Sequence, residues 1–173
     1  LVRGLENSVT NILSKNNKYN DGSGVYYLFD NFKQVLDLPP ATVLEINKKG
    51  LVDLLSRGEV YHAMTMRDES NLPAELLSSP EVIEAAKQGM SYLLTDNSGI
   101  EHAQIIVDEF QVPAAVVIDV AKQRIISELY GNSISVSSVI EIKNAFNLPI
   151  DTLSSPEVLD AAKQGMIKLI IHG

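Results

Sequence analysis

Apolar residues recur along most of the chain at the spacing of a helix that buries one face. In residues 82–94 this spacing has a period near 3.6 residues, whereas a half-buried strand alternates every two. The apolar or small positions there are Val82, Ile83, Ala86, Gly89, Met90, Leu93 and Leu94. Residues 100–110 show the same period, and no stretch has a persuasive strand pattern. The pattern therefore predicts an all-α protein.

Serine and proline mark where the helices begin and end. Ser79 can cap a helix that starts at Pro80, where the missing N–H costs nothing, and Glu81 lies near the positive end of the helix dipole. Ser155-Pro156-Glu157 repeats this start. Pro113 stops the helix predicted near residues 99–111, because the proline ring cannot continue a helix. Residues 14–24 read as a polar loop. The predicted helices lie near residues 4–14, 25–37, 42–56, 58–69, 80–95, 99–111, 114–130, 135–147 and 156–171.

The chain also repeats itself. Residues 77–90 read LSSPEVIEAAKQGM and residues 153–166 read LSSPEVLDAAKQGM, which are identical at twelve of fourteen positions. Weaker copies begin at Val43 and Val117, and all four copies share a Val, an aliphatic residue, an acid and then a Lys. A second segment in each unit ends in a shared tail. The tails are Asp37-Leu38-Pro39, Asn71-Leu72-Pro73, Gln111-Val112-Pro113 and Asn147-Leu148-Pro149.

A two-helix unit cannot bury both of its apolar stripes alone, and stacking the next pair buries them. We therefore predict a right-handed α-solenoid of stacked antiparallel helix pairs, with residues 1–173 forming a single helical-repeat domain. A short N-terminal helix precedes about four pairs, which cover residues 25–56, 58–95, 99–130 and 135–171. The chain opens at Leu1 without a Met or signal peptide and stops after an apolar run, so we expect a fragment of a longer protein.

The segment AAKQGMSYLL followed by GIEHAQIIVDEFQVP resembles a tetratricopeptide-type hairpin. In that family a small residue, a Gly and an aromatic residue recur on the first helix, an Ala recurs on the second, and a Pro ends the unit. Ala85, Gly89 and Tyr92 match the first helix. Ala103 and Pro113 match the second. The resemblance covers about residues 25–171, with unit lengths that vary around the family's 34 residues.

The resemblance also implies which residues would line an inner groove. In the family, first-helix positions line it, and these correspond here to Ile83, Ala86, Met90, Leu93 and Leu94. They are the apolar stripe of this helix and should already be buried. Either the groove binds an apolar helix, or the helices pack differently from those of the family; we favour different packing.

Composition narrows the classes of partner. The chain has 173 residues and 18.9 kDa, with 45% hydrophobic and 21% charged residues, which suffices for a sizeable core. Its net charge of -8, with only 14 Lys and Arg, argues against a nucleic-acid partner, including the RNA that pentatricopeptide relatives bind. No apolar run approaches the roughly 18 residues of a bilayer span, so we expect no membrane insertion. The absence of cysteine excludes disulfides and thiolate sites.

An acid and a Lys recur at equivalent places in successive helices, beginning with Glu45 and Lys48. One interpretation is a row of side chains that faces a partner peptide. The other, which is the commoner arrangement, is a set of solvated i,i+3 pairs that each stabilise their own helix slightly. The candidate partner-binding residues are Glu84, Lys87, Gln88, Asp119, Lys122, Gln123, Asp160, Lys163 and Gln164.

Other chemistry has little support. His62 and His102 occupy the same place in consecutive units and could bind a metal with Glu59 or Glu101, but no HExxH or similar ligand spacing accompanies them, and surface histidines are the favoured interpretation. The chain has no GxSxG or GxGxxG motif. We therefore predict no catalytic residues, no metal and no cofactor.

The function that best fits these features is a non-catalytic protein–protein interaction scaffold, which binds a peptide or helix of a partner protein. The alternative is a helical arm of a larger enzyme, or of a bacterial effector that acts on host proteins, with the catalytic part elsewhere. The expected compartment is the cytoplasm, with secretion as the alternative for an effector. The sequence does not identify the partner, the binding face or the oligomeric state.

Overall fold

The computed structural model describes residues 39–95, 97–131 and 135–172. Within these ranges all regular structure is helical and no strand occurs, which confirms the all-α prediction. A 3₁₀ turn at Asn97–Gly99 precedes the fifth helix. The α-helices are α1 (Pro40–Ser56), α2 (Val60–Ser70), α3 (Ala74–Leu77), α4 (Pro80–Leu93), α5 (Ile100–Glu109), α6 (Ala114–Tyr130), α7 (Val136–Ala145), α8 (Ile150–Leu153) and α9 (Pro156–His172).

Hydrophobic periodicity located the longer helices well. Each of the seven begins and ends within two residues of its prediction. The one-turn helices α3 and α8 were missed, because four residues are too few to display a helical period. They lie in residues 73–80 and 149–156, each of which joins a tail Pro to a Leu-Ser-Ser-Pro sequence and which we call the long junctions. In a short junction, as before α6, the next long helix directly follows the tail Pro. The helices predicted at 4–14 and 25–37, and the loop at 14–24, lie outside the described residues.

The longer helices pack in two rows. The first row is α1, α4, α6 and α9, and each of these helices packs on the next. The second row is α2, α5 and α7, which also contact one another in order. The rows are joined because α1 packs on α2, α4 on α5 and α6 on α7. Most of the packing therefore joins helices that are neighbours in this order.

One continuous hydrophobic cluster runs through both rows, from α1 to α9. Its largest fully buried side chains come from six different helices and the ends of two of them, so no single pair holds the core. They include Leu51, Leu55, Met90, Phe110, Ile106, Ile125 and Ile142. Burial of each such side chain contributes roughly 1.5–3 kcal/mol relative to exposure.

Gly89 sets the distance between α1 and α4. A Cβ at this position would collide with the backbone carbonyl oxygen of Leu55, near the end of α1. Backbone atoms cannot move aside as a flexible side chain can, so the two helices approach this closely only because residue 89 has no side chain. Gly89 is the glycine that matches the first helix of the tetratricopeptide hairpin. Its close contact with Leu55 explains why a glycine is needed at this position.

The three described tails share one turn geometry. Asn71, Gln111 and Asn147 lie in the left-handed region, with φ of 46°, 50° and 47°. The residue after each donates its backbone N–H to a carbonyl five residues earlier, as in a Schellman motif. These bonds are Leu72 to Arg67 at 3.4 Å, Val112 to Val107 at 3.2 Å and Leu148 to Lys143 at 3.0 Å. The aliphatic residue is buried, and the following Pro stands directly before the next helix.

Ser79 corrects one detail of the predicted helix start. Helix α4 begins at Pro80 as expected, and the Ile83 N–H donates to the Ser79 carbonyl at 3.0 Å. The Ser79 hydroxyl, however, accepts no capping hydrogen bond and is buried without a partner. The start of α4 therefore depends on Pro80 and on backbone geometry rather than on the serine side chain.

Replacing Gly89 by Ala should destabilise the protein by about 1–3 kcal/mol, because the methyl group forces α1 and α4 apart. Gly50→Ala is the matched control. There the methyl meets only the flexible end of Met66, and helix propensity favours Ala by up to about 1 kcal/mol. Urea unfolding of both variants measures the difference. Equal stabilities would contradict the close backbone contact.

Gln111→Gly should stabilise the protein by about 0.5–1 kcal/mol, because glycine adopts the left-handed conformation without a Cβ penalty. Asn71→Gly should gain less, since asparagine already tolerates this region. Gln111→Val should destabilise by at least about 1 kcal/mol, because a β-branched residue resists positive φ. Thermal unfolding ranks the three variants, and a stabilising Gln111→Val would exclude the turn.

Candidate functional site

Three of the four repeated lysines connect consecutive helices of the first row. Each reaches across to a carboxylate near the start of the next helix, rather than to the acid of its own repeat. The pairs are Lys48 with Glu81, Lys87 with Asp119 (2.8 Å from Nζ to Oδ2) and Lys122 with Glu157 (3.1 Å from Nζ to Oε2). We call these three ion pairs the inter-helix links.

The acid of each link depends on the junction that precedes its helix. In the units with a long junction the acid stands directly before the repeat Val, as Glu81 and Glu157 do. In the unit with a short junction that place is taken by Val116, and the acid is Asp119, one turn later. The two positions lie on the same side of a helix because they are three residues apart. The repeat therefore keeps the link although the sequences around it differ.

The links shift the pKa values of their members in opposite directions. Hydrogen bonds to Glu81 and Asp119 raise the pKa of Lys48 and Lys87. The pKa of Glu157 is lowered, first by the hydrogen bond from its own backbone N–H at the start of α9 and then by Lys122. Because all of these groups are solvent-accessible, each link adds little to stability.

The candidate residues thus divide into two groups. Lys87, Asp119 and Lys122 are partly buried and engaged in the links. Neither interpretation from sequence foresaw this, since one directed these charges towards a partner peptide and the other paired them within a single helix. The other candidates are exposed, and Gln88 donates a hydrogen bond to Glu84 at 3.2 Å. We call the exposed polar set beside the link lysines and Lys163 the polar row; its members are Glu84, Gln88, Gln123, Asp160 and Gln164.

The polar row follows the line of the links. Glu84 and Gln88 flank Lys87 on α4, and Gln123 is adjacent to Lys122 on α6. Since Lys87 and Lys122 each bridge to the next helix, side chains beside them emerge on the same side of the first row. The row therefore offers amide and carboxylate groups on three successive helices.

Second-row helices are also joined by polar contacts, which sequence analysis missed. Arg67 on α2 donates to both the backbone carbonyl and the carboxylate of Glu109 at 2.9 Å, and its guanidinium lies 5.4 Å from the centre of the Phe110 ring. It also donates to Asp68 at 2.7 Å, which lowers the pKa of that carboxyl. Gln104 on α5 donates to the Ala145 carbonyl at 2.8 Å. No periodic pattern marks these residues, so only the packing of α2, α5 and α7 reveals them.

The two histidines do not form a metal centre with each other. His62 Nδ1 lies 3.2 Å from a carboxylate oxygen of Glu59. The His102 ring instead packs edge-on against Tyr61, with 5.5 Å between ring centres. The described part of the chain contains no group of three or more His, Cys, Asp or Glu residues that could hold a metal ion.

The apolar positions that the resemblance assigned to an inner groove are used in packing. Ala86, Met90 and Leu94 are buried, and Ile83 and Leu93 are partly buried. These side chains are therefore not available to a peptide. A polar depression of about 600 Å³ lies between α5 and α7, where Glu101 and Glu141 face solvent.

No protein-family model matches this chain, and neither the curated proteins nor the solved structures contain a significantly similar one. None of the helices in the described ranges has the length and apolar character required to span a membrane.

Removing the Lys122 side-chain charge should raise the pKa of Glu157 part of the way towards its ordinary value. The remainder should persist, because the backbone hydrogen bond is the larger cause. With the link intact, its stabilisation is present above the ordinary glutamate pKa and is lost as pH falls through the lowered pKa. Carbon-detected NMR titration of Glu157 in Lys122→Met measures the change.

Lys163→Met is the control for that titration, since it removes the same charge from α9 itself. Lys163 makes no ion pair within the described residues, so the Glu157 pKa should barely change. Equal effects of the two substitutions would show that net charge, and not the link, lowers the pKa.

Proposed function

We propose that this chain is a non-catalytic scaffold of helical repeats that binds a peptide or helix of a partner protein along the polar row. In this proposal the two rows of helices form a right-handed solenoid of tetratricopeptide-like pairs. The observation that carries it is the repeated link, in which Lys48, Lys87 and Lys122 each pair with the next first-row helix. Stacked repeat units are expected to use the same contact between each pair of neighbours, as these ion pairs do.

The links favour a regularly spaced binding surface. Each fixes the register of one helix against the next through a charged hydrogen bond, so the adjacent polar side chains recur at similar intervals. Extended peptides carry hydrogen-bonding groups at regular intervals along their backbones, and helical repeats offer matching rows. Because the lysines are already paired, the polar row is left to interact with a partner.

The chemistry of the polar row indicates the kind of segment it would bind. Gln88, Gln123 and Gln164 each have one acceptor and two donors, which suit a peptide backbone. Glu84 and Asp160 accept hydrogen bonds from basic side chains. A basic or neutral peptide therefore fits better than an acidic one. The net charge of -8 also attracts basic peptides and repels acidic ones.

Reversing both acids of the polar row should weaken partner binding by about ten- to a hundredfold, since a hydrogen bond to a charged group is worth roughly 1.5–3 kcal/mol. The test variant is Glu84→Lys with Asp160→Lys. A partner captured from the source cells is purified and titrated calorimetrically against the wild-type and variant chains.

Glu75→Lys with Asp151→Lys is the matched control for that experiment. These acids are also exposed, are also separated by 76 residues, and stand on α3 and α8 outside the polar row. Their reversal makes the same change in net charge and should leave affinity within about twofold of wild type. If both variants lose affinity equally, binding is non-specific electrostatics and the polar row is not the site.

A further inference from the structure

Helices α4 and α9 are close copies in sequence but differ sharply in burial. Met90 is 0% exposed and its counterpart Met166 is 53% exposed. One turn further on, Leu94 is 1% exposed whereas Ile170, at the same place in α9, is 82% exposed. Since the residues are alike, the difference arises from what lies against each helix.

On α4 this side is covered by α6. Lys87 and Met90 share it with residues one turn before and after, because they are separated by three or four residues along the helix. Lys87 identifies the neighbour, since its ammonium pairs with Asp119 of α6 at 2.8 Å. The side of α4 that carries Met90 is therefore the interface with α6.

Helix α9 presents the same set of side chains to solvent. We call this set the terminal face: Leu159, Lys163, Met166 and Ile170. All four are exposed, and Lys163, the counterpart of Lys87, makes no ion pair within the described residues. Three large, exposed apolar side chains around a lysine on one side of a helix are typical of a surface that binds a partner.

We propose that the terminal face binds an amphipathic helix of another protein whose contact side copies α6, with aliphatic residues and one carboxylate that pairs with Lys163. Two features carry this choice. The terminal face repeats the side of α4 that already packs against α6, and Lys163 is the counterpart of Lys87, whose charge Asp119 neutralises there. The proposal rests on the scaffold function and names a class of partner, at a face distinct from the polar row.

Charge also distinguishes this occupant from a second copy of the chain. A second copy would bring its own terminal face, in which Lys163 is the charged residue; the nearby acid Asp160 lies on the side of Lys163 away from the three apolar residues. Two ammonium groups would then be placed among apolar side chains without a carboxylate from either stripe, which is unfavourable. An acidic amphipathic helix satisfies both the apolar surface and the lysine.

The test uses the 173-residue chain and a fluorescent, end-capped peptide of residues 113–131, which contains α6. Anisotropy titration should show saturable binding. Met166→Glu and Ile170→Glu should each weaken it by at least about tenfold, because they place a carboxylate in the apolar contact. Tyr92→Glu is the matched control; this residue is 63% exposed on α4, and its substitution should leave affinity unchanged. Circular dichroism verifies that each variant remains folded.

A charge exchange tests the register of the complex. Lys163→Glu should weaken binding of the wild-type peptide by about tenfold, and a peptide carrying Asp119→Lys should recover most of that loss on the Lys163→Glu chain. The altered peptide should bind the wild-type chain poorly. Recovery of affinity requires direct contact between residue 163 of the chain and residue 119 of the peptide. Non-specific binding of the peptide would not produce it.

Three outcomes would overturn the proposal: no saturable binding, binding insensitive to Met166→Glu, or a dimer of the chain alone that Met166→Glu dissociates in sedimentation velocity. The last would assign the face to a second copy. None of them bears on the polar row, because its test compares Glu84→Lys with Asp160→Lys against a control on α3 and α8. Failure of one proposal is therefore distinguishable from failure of the other.

Discussion

Helices α4 and α6 each pack against both of their first-row neighbours, and the burial of apolar side chains on more than one side dictates this arrangement. Helix α4 contacts α1 on one side through Gly89 and α6 on another through the side that carries Met90. Burial of both sides requires a neighbour before and a neighbour after. The apolar side chains of α9 are exposed where no described helix follows.

Polar contacts determine how the helices are placed within this apolar constraint. Hydrophobic contact is non-directional and would tolerate sliding of one helix past another. The inter-helix links, together with Arg67 and Gln104 in the second row, join particular residues across neighbouring helices and so specify a register. Because the links occupy the lysines, they leave a row of amides and carboxylates at the surface, and that division of roles is the basis of the proposed scaffold function.

Much of the architecture was accessible from sequence because the signals are local. Helical period, the Pro at or directly before the start of each first-row helix and the repeated tails act within about one or two turns. The left-handed residues of the tails were not foreseen as such, although Asn71 and Asn147 are a residue type that tolerates this conformation. One-turn helices such as α3 escaped detection because they are shorter than the period that would reveal them.

The sequence by itself determined that the chain is helical, where its longer helices begin and end, and which residue types recur from unit to unit. Only the tertiary structure decided what those residues contact. Lys87 resembles a solvated partner of Glu84 when α4 is considered alone, yet it pairs with Asp119 once α6 lies beside it. Likewise Met90 and Met166 are the same residue in the same motif, and one is buried while the other is exposed. Contacts between helices depend on distance and register in space, which a one-dimensional pattern does not contain.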